Sequence, residues 1–198
     1  MKSVKEIYKL NPLFQKPLFH SAEAMKEGVS SSLLNYYVKK NLIVRLDRGI
    51  YRGRDSAVDI DSHYEDLVLA VKSIPSGVVC LVSALDLYGL TDEIPRKYWI
   101  AVPNTMRAPI RKNVRILRMR NTSLGLTEMR IGSETIRVFD RERTIIDAFR
   151  HLGIETAVKA MKAGISKKGA EKIDMRKLRD YAVKLRVNID PYLIAVTV

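Results

Sequence analysis

The feature that most constrains the fold is a helix, a tight turn, a second helix and a basic hairpin, all within residues 19–52. Residues 21–27 carry the first helix, and Gly28 supplies the backbone freedom that a sharp turn between helices requires. Ser30 can cap the second helix, whose run to Lys40 contains no glycine or proline. This order predicts a winged helix-turn-helix.

The second helix has two chemically different faces. One face is apolar and consists of Leu33, Leu34, Tyr37 and Val38. The opposite face has polar residues at helical spacing, namely Ser32, Asn35, Tyr36 and Lys39. Such side chains hydrogen-bond base edges and phosphates. We therefore predict that one face joins the core and the other reads DNA.

The hairpin is predicted from a change of period. Leu42, Val44 and Leu46 alternate as in a strand, and the turn Asp47-Arg48-Gly49 precedes Ile50-Tyr51-Arg52. Cations near its tip, extended by Arg54, suit the DNA backbone or the minor groove. The predicted DNA-binding residues are Ser30, Ser31, Ser32, Asn35, Tyr36, Lys39, Lys40, Arg45, Arg48 and Arg52. Each alone also fits a solvated helix beside an ordinary hairpin, and the agreement of the set favours DNA.

The charge balance indicates a polyanionic partner. The 198 residues carry a formal net charge of +13, and residues 1–54 have eleven Lys or Arg against four Asp or Glu. Nucleic acids and membrane surfaces are the usual partners of such chains. No apolar run reaches the roughly eighteen residues of a spanning helix, and the first residues lack the apolar core of a signal peptide. We expect a cytoplasmic protein without membrane association.

The sequence offers no catalytic or metal-binding motif. Cys80 is the single cysteine, so no internal disulfide can form, and its apolar neighbours suggest a buried thiol. His20, His63 and His151 lack metal-ligand spacing. A glycine-rich phosphate loop, a nucleophile elbow and an HExxH motif are all missing from the sequence. We expect neither enzymatic activity nor a cofactor.

The remaining residues predict a larger α/β domain, so the fold class is α+β with an N-terminal winged helix-turn-helix. The predicted division is a DNA-binding domain at 1–54, a linker at 55–62 and an α/β domain at 63–198. Helices are predicted at Val4–Leu10, ended by Asn11-Pro12, at His63–Ile74, at Ala84–Tyr88 with Ser83 as cap, and at Arg141–His151, Ile154–Ala163 and Met175–Arg186. Strands of a mixed sheet are predicted at Val78–Val82, Lys97–Val102, Val114–Met119, Met129–Ile131 and Thr135–Phe139, while Pro191–Val198 fits a strand or a short helix.

Two charged groups in this domain have competing explanations. The segment 96–120 contains no acidic residue, and its cations form a possible second basic surface: Arg107, Arg111, Lys112, Arg115, Arg118 and Arg120. It could contact nucleic acid or simply be a solvated loop and strand edge. The cluster around Asp140 could be an acid/base site, but Arg143, Asp147 and Arg150 have the spacing of an ion-pair ladder on one helix. The ladder is the favoured explanation.

The order of these motifs resembles the AbiEi family of antitoxins. The fragments that carry the resemblance are Gly28-Val29-Ser30, Arg48-Gly49-Ile50-Tyr51, Ser83-Ala84-Leu85, Tyr88-Gly89-Leu90-Thr91, Ile94-Pro95, and Glu142-Arg143-Thr144 with Asp147. Their shared order covers about residues 19–150. The resemblance implies a winged domain that represses its own operon by binding inverted repeats. It also implies a C-terminal domain that opposes a nucleotidyltransferase toxin, AbiEii, in a type IV toxin-antitoxin system of abortive phage infection, without a stable complex.

Two other functions remain open from the sequence. The chain could be an RNA-binding or RNA-modifying protein that acts through the central basic segment. It could also be an effector-gated repressor, without antitoxin activity, whose mixed sheet binds a small ligand. The sequence identifies neither the bases recognised nor the residues responsible for antitoxicity.

Overall fold

A computed structural model describes residues 6–56 and 62–197 of the chain. The fold is mixed α/β, and it divides into two compact units, described separately below. The first unit comprises Met1–Pro75 with Arg130–Glu134, and the second comprises Ser76–Met129 with Thr135–Val198. Most of the predicted linker lies outside the described residues, and the functional division at 54 and 63 stays a prediction.

The first unit begins with helical turns and continues through a small antiparallel sheet. Its elements are a 3-10 turn at Ile7–Leu10, α1 at Asn11–Phe14, β1 at Phe19–His20, α2 at Ser21–Lys26, α3 at Ser31–Lys39, β2 at Ile43–Asp47, β3 at Ile50–Gly53 and α4 at Ser62–Lys72. The strand order is β1-β3-β2, with Phe19 opposite Tyr51. This pairing stacks the two rings, whose centroids are 5.9 Å apart.

The predicted break at Asn11-Pro12 is wrong. The chain passes from the 3-10 turn directly into α1, with Pro12 in the first helical turn. Proline is tolerated there because the first backbone N–H groups of a helix have no intrahelical acceptor. The start of the predicted first helix, at Val4 and Lys5, lies outside the described residues.

An apolar cluster lies among the helical turns before β1, the helices α2 and α3, and the sheet of the first unit. Its fully buried members include Leu10, Phe19, Val29, Leu34 and Tyr37. Burial of such a side chain contributes about 1.5–3 kcal/mol relative to leaving it exposed. The cluster therefore fixes how α3 and the hairpin lie against each other. In α4 the predicted apolar stripe is also confirmed as buried.

The second unit combines helices with most of a mixed sheet, in which Arg130–Glu134 at the end of β7 and the start of β8 are grouped with the first unit. Its elements are β4 at Val78–Val79, α5 at Leu81–Leu87, β5 at Tyr98–Pro103, β6 at Val114–Met119, β7 at Leu126–Ile131, β8 at Glu134–Phe139, α6 at Arg141–His151, α7 at Ile154–Ser166, a 3-10 turn at Gly169–Glu171, α8 at Met175–Leu185 and α9 at Asp190–Thr197. The strand order is β6-β5-β4-β8-β7, and β4 is antiparallel to β5 but parallel to β8. The predicted mixed sheet is confirmed.

The predicted strand Val78–Val82 is wrong beyond its second residue. The chain turns at Leu81, which has φ +48°, and enters α5. Ser83 is therefore inside the helix rather than its cap, and its hydroxyl accepts a hydrogen bond of 2.9 Å from the Trp99 backbone N–H. A short apolar run does not distinguish a buried strand from a buried helix, which explains the error.

The capping predictions in the last third of the chain are confirmed. Asp140 accepts from the Arg143 backbone N–H at the start of α6, and Asp174 accepts from the first backbone N–H groups of α8. The C-terminal segment, which from the sequence fits a strand or a short helix, is the helix α9. Within the described residues there is no helix long and apolar enough to cross a membrane.

Candidate nucleic-acid interface

The turn between α2 and α3 is built on a glycine. Gly28 has φ +78°, and a Cβ added there would meet no atom within 4 Å. The glycine is therefore required by the backbone conformation rather than by lack of space. The backbone N–H of Val29 donates to the Ala24 carbonyl at 2.9 Å, and the Val29 side chain is fully buried. This turn fixes the direction in which α3 leaves α2.

The orientation of α3 is set by its cap and its buried face. Ser30 Oγ accepts from the Leu33 backbone N–H at 3.3 Å, which confirms the predicted cap. Leu34 and Tyr37 are fully buried in the core of the first unit. Burial raises the pKa of Tyr37, so its phenol stays neutral at physiological pH. These contacts leave the opposite face of α3 to solvent.

The exposed face of α3 presents most of the predicted reading residues together. Ser31, Ser32, Asn35 and Lys39 are exposed, and Tyr36 is half-buried. Ser32 Oγ lies 2.9 Å from Ser30 Oγ, so these two hydroxyls share one hydrogen bond. The remaining donors and acceptors on this face point into solvent, where a polar ligand can reach them.

Lys40, at the C-terminal end of the exposed face of α3, lies beside the ring of Tyr36. Lys40 is exposed, with Nζ 5.9 Å from the ring centre of Tyr36. The Tyr36 ring in turn meets Tyr37 edge-on, with centroids 6.0 Å apart. Tyr36 is thereby held between the core and the exposed face, which limits the positions that the Lys40 amine can take.

The hairpin carries two of its predicted cations near the tip. Arg45 and Arg48 are exposed, and the Arg48 backbone N–H donates to Asp47 Oδ1 at 2.6 Å. Gly49, with φ +74°, completes the turn. The guanidinium of Arg45 donates to the Asp47 carbonyl at 3.4 Å, which is a long bond to an exposed acceptor. Both guanidiniums remain accessible to an anion.

Arg52 and Arg54 have partners within the protein. Arg52 forms a 2.6 Å ion pair with Glu65 of α4, and Arg54 donates to the Asn41 carbonyl at 3.1 Å. A phosphate would have to compete with these partners. The pairing of Arg52 with Glu65 could not be predicted from the sequence. These two residues are thirteen positions apart, in different elements, and no local pattern links them.

Two exposed apolar side chains on β2 were also missed. Val44 and Leu46 alternate as predicted, but their side chains are 43% and 36% exposed, whereas Ile43 is buried. Alternation in the sequence indicates the two-residue period of a strand, but it does not show which face of the strand is buried in the protein. These side chains add an apolar component to the hairpin surface, and Val44 points to the strand face opposite that of Arg45.

An acidic residue at the base of α2 is neutralised locally. Burial raises the pKa of Glu23, but hydrogen bonds from Lys16 Nζ at 2.5 Å and the His20 backbone N–H at 2.8 Å outweigh this effect. The net pKa of Glu23 lies below its ordinary value. The ion pair with Lys16 reduces the repulsion that this carboxylate would exert on a nucleic acid.

The residues of the predicted second basic surface lie in the second unit, on one strand and on the segments beside it. Its members are distributed over the loop after β5, over β6 and just beyond it: Arg107, Arg111, Lys112, Arg115, Arg118 and Arg120. Arg115 and Arg118 are three apart on a strand, so they point to opposite faces. Arg118 donates to the Asn104 carbonyl at 2.8 Å. Contact of these residues with nucleic acid stays a prediction.

The predicted ion-pair ladder of α6 is confirmed. Arg143 Nε lies 2.7 Å from Asp147 Oδ2, and Arg150 Nη1 lies 3.1 Å from Asp147 Oδ1. What the sequence did not indicate is their burial, since Arg143 and Asp147 are 1% and 0% exposed. A buried charge needs several hydrogen-bond partners, and this network supplies them.

The described residues provide no cluster for a metal ion: in the ranges 6–56 and 62–197, no group of three His, Cys, Asp or Glu side chains has suitable positions. Cys80 is fully buried, and burial raises the pKa of its thiol well above the ordinary value. A thiol in this state is a poor nucleophile.

Comparison with protein families identifies a match in the first unit. Residues 9–52 match a family described as "Transcriptional regulator, AbiEi antitoxin". The matched range contains α1 to α3 and the hairpin to Arg52, so the resemblance drawn from the sequence is confirmed for this part of the chain. The fragments at 83–95 and 142–147 lie outside the match. A comparison with curated proteins gave no match.

Proposed function

We propose that this chain is a DNA-binding transcriptional regulator and antitoxin of the AbiEi type. The family match over residues 9–52 supports regulation of transcription, and the formal charge of +7 on residues 1–54 supports a polyanionic partner. The geometry of the first unit supports a role for each of its elements in binding DNA.

The element order of the first unit supports a winged helix-turn-helix. α1 is followed by the short strand β1, the pair α2 and α3, and the hairpin of β2 and β3. In this proposal α3 is the recognition helix and the hairpin is the wing. The observation that carries it is the asymmetry of α3, which buries Leu34 and Tyr37 and exposes its polar side chains.

The exposed side chains of α3 have different proposed roles. Ser31, Ser32 and Asn35 contact base edges, because hydroxyls and a carboxamide can discriminate between base pairs. Lys39 and Lys40 bind phosphates and therefore position the helix without reading sequence. The major groove, about 12 Å wide, accepts one α-helix, and α3 can enter it without disturbing the core of the first unit.

The wing contributes charge to this interface. Arg45 and Arg48, at the exposed tip, contact the backbone or the minor groove beside the site of α3. Arg52 contributes less than the sequence indicates, because Glu65 competes for its guanidinium.

The proposed biological target is the promoter of the chain's own operon. Resemblance to AbiEi antitoxins suggests that inverted repeats are bound there and that transcription is repressed. An inverted repeat presents two equivalent half-sites, so two copies of the chain would bind one operator. The same resemblance suggests that the part of the chain after residue 62 opposes a nucleotidyltransferase toxin without forming a stable complex with it.

A reporter assay tests the regulatory proposal. The promoter region upstream of the gene drives a reporter, and the full chain is supplied from a separate inducible promoter. We expect repression that is lost when the inverted repeat is scrambled and when Asn35→Ala is introduced. Repression that ignores the repeat sequence, or that persists in the Asn35 variant at full strength, would contradict the proposal.

RNA binding is the second candidate, supported by the exposed cations Arg107, Lys112 and Arg120. Direct competition between duplex DNA and a structured RNA of equal length separates the two candidates. Preference for the RNA at moderate salt would favour this alternative over DNA binding.

A further inference from the structure

A cleft of about 710 Å³ on the second unit is lined by the only tryptophan of the chain. The loop before β5, the strands β5 and β6, and the connection from α6 to α7 enclose it. Val82 of α5, which is buried, also lines the cleft. Small-molecule sites typically occupy about 300–1,000 Å³, so the cleft has the size of such a site.

Strand pairing creates a flat cationic platform in this cleft. β5 and β6 are parallel with Trp99 opposite Arg115, which places the two side chains next to each other on one face of the sheet. The Arg115 guanidinium carbon lies 4.1 Å from the centre of the Trp99 ring. Arg115 is an exposed residue. Planar groups stack on arginine and on aromatic rings.

The cleft has an excess of positive charge. Arg96, Lys97 and Arg115 line it, and Glu93 is the one acidic residue among the lining side chains. Across the part of the chain that the structure describes, none of these three cations lies within 4.0 Å of a carboxylate. They are therefore available for an anion, which would be held by charge-assisted hydrogen bonds.

We propose that this cleft binds a nucleotide. The base stacks on the platform of Trp99 and Arg115, and Arg96 and Lys97 bind the phosphates. A free inorganic anion would use the charges but not the platform, whereas an uncharged aromatic compound would leave the cations unpaired. A nucleotide satisfies both parts of the site. The site lies in the second unit and uses no residue of α3 or the hairpin, so it stands independently of DNA binding.

The single tryptophan makes the site directly observable. ATP is titrated into the full chain, free of nucleic acid, and Trp99 emission is recorded with excitation at the red edge of its absorption. We expect saturable quenching. Arg115→Ala and Arg96→Ala should each weaken the apparent affinity about tenfold, because the first removes the guanidinium on which the base stacks and the second removes a charge-assisted contact to the phosphates. Arg137→Ala removes an exposed cation of the second unit outside the cleft and should leave the affinity unchanged.

Tripolyphosphate separates nucleotide recognition from anion binding. We expect it to compete with ATP more weakly than ATP competes with itself, since it lacks a base to stack. Equal competition by tripolyphosphate would overturn the nucleotide assignment. The proposal would also be overturned by the absence of saturable quenching at millimolar ATP, or by equal loss of affinity in the Arg137 variant. Circular dichroism of each variant excludes unfolding as the cause of weaker binding.

Discussion

At the scale of single residues, the buried side chain of Arg143 connects several segments of the second unit. Besides its ion pair with Asp147, it donates to the Leu124 carbonyl at 2.9 Å and to the Asn121 carbonyl at 3.1 Å. Its guanidinium also lies over the ring of Phe139 at 4.5 Å. One buried cation thus joins α6 to the segment after β6. We interpret the Glu-Arg-Thr fragment at this position as a structural motif.

Asp147→Asn tests that interpretation. The substitution keeps the shape of the side chain but leaves Arg143 buried without its counter-charge. Loss of one partner of a buried pair typically costs about 3–5 kcal/mol. We expect the free energy of unfolding, measured by urea denaturation, to fall by about this amount.

The matched control is another pair at the same helical spacing. Glu155 and Lys159 of α7 are 2.6 Å apart but strongly exposed. Exposed pairs contribute little because water screens them. Glu155→Gln should leave the unfolding midpoint almost unchanged. Similar losses from Asp147→Asn and Glu155→Gln would contradict a special role for the buried pair.

Two residues of α3 should affect DNA binding in different ways. Asn35→Ala should remove about 1–3 kcal/mol of discrimination at one base pair, because the proposed bidentate contact to a base edge is lost. Lys39→Ala should weaken binding to operator and random DNA alike, because it removes the proposed phosphate contact. Titrations of both variants with the two DNAs measure the difference.

The control for the lysine is Lys162→Ala, which removes an exposed charge from α7 of the second unit. This substitution should change neither the affinity for operator DNA nor the affinity for random DNA. Equal loss on operator and random DNA for Asn35→Ala would refute its assignment to a base edge.

At the scale of elements, two glycines with positive φ distinguish backbone strain from crowding. Gly28 and Gly125 have φ +78° and +70°, but only at Gly125 would an added Cβ lie 2.5 Å from the Cβ of Arg143. Gly28→Ala should cost about 1–2 kcal/mol, the strain of a left-handed residue. Gly125→Ala should cost distinctly more, because α6 or its neighbouring loop must move. Urea denaturation of both variants measures the two costs, and equal costs would contradict the crowding at Gly125.

Element boundaries were predictable where a side chain marks them. Asp140 and Asp174 cap α6 and α8 as expected, since a carboxylate at the start of a helix has a local partner. The run Val78–Val82 was misassigned because its burial on every side erases the periodicity that separates strand from helix. Capping residues could therefore be predicted from the sequence, whereas burial in the tertiary structure could not.

The same limit applies to the candidate sites: features set by local spacing could be predicted, and contacts between distant elements could not. The two faces of α3 could be predicted because helical spacing alone separates Leu34 from Asn35. The pair of Arg52 with Glu65 could not, because it depends on packing between elements distant in the sequence. The platform of Trp99 and Arg115 likewise depends on the register of β5 and β6, which neither strand specifies alone.

At the scale of the whole molecule, the proposal assigns DNA binding and antitoxicity to different parts of the chain. The full-length double variant Lys39→Ala, Arg48→Ala should lose promoter binding, because two exposed cations of the proposed interface are removed. It should still protect cells when the toxin is expressed from an unrelated promoter. Colony survival measures protection, with the wild-type chain and an empty vector as controls. Loss of protection in a folded double variant would contradict the separation.

The most direct test of sequence-specific DNA recognition is the affinity of the full chain for its own promoter repeat against a scrambled duplex, measured by fluorescence anisotropy over a range of salt concentrations. We predict that the repeat binds about 10³-fold more tightly, as is typical of specific sites. For both duplexes, log K should fall linearly with log salt by about 0.9 per phosphate neutralised. Equal affinity for the repeat and the scrambled duplex at moderate salt would contradict recognition by α3.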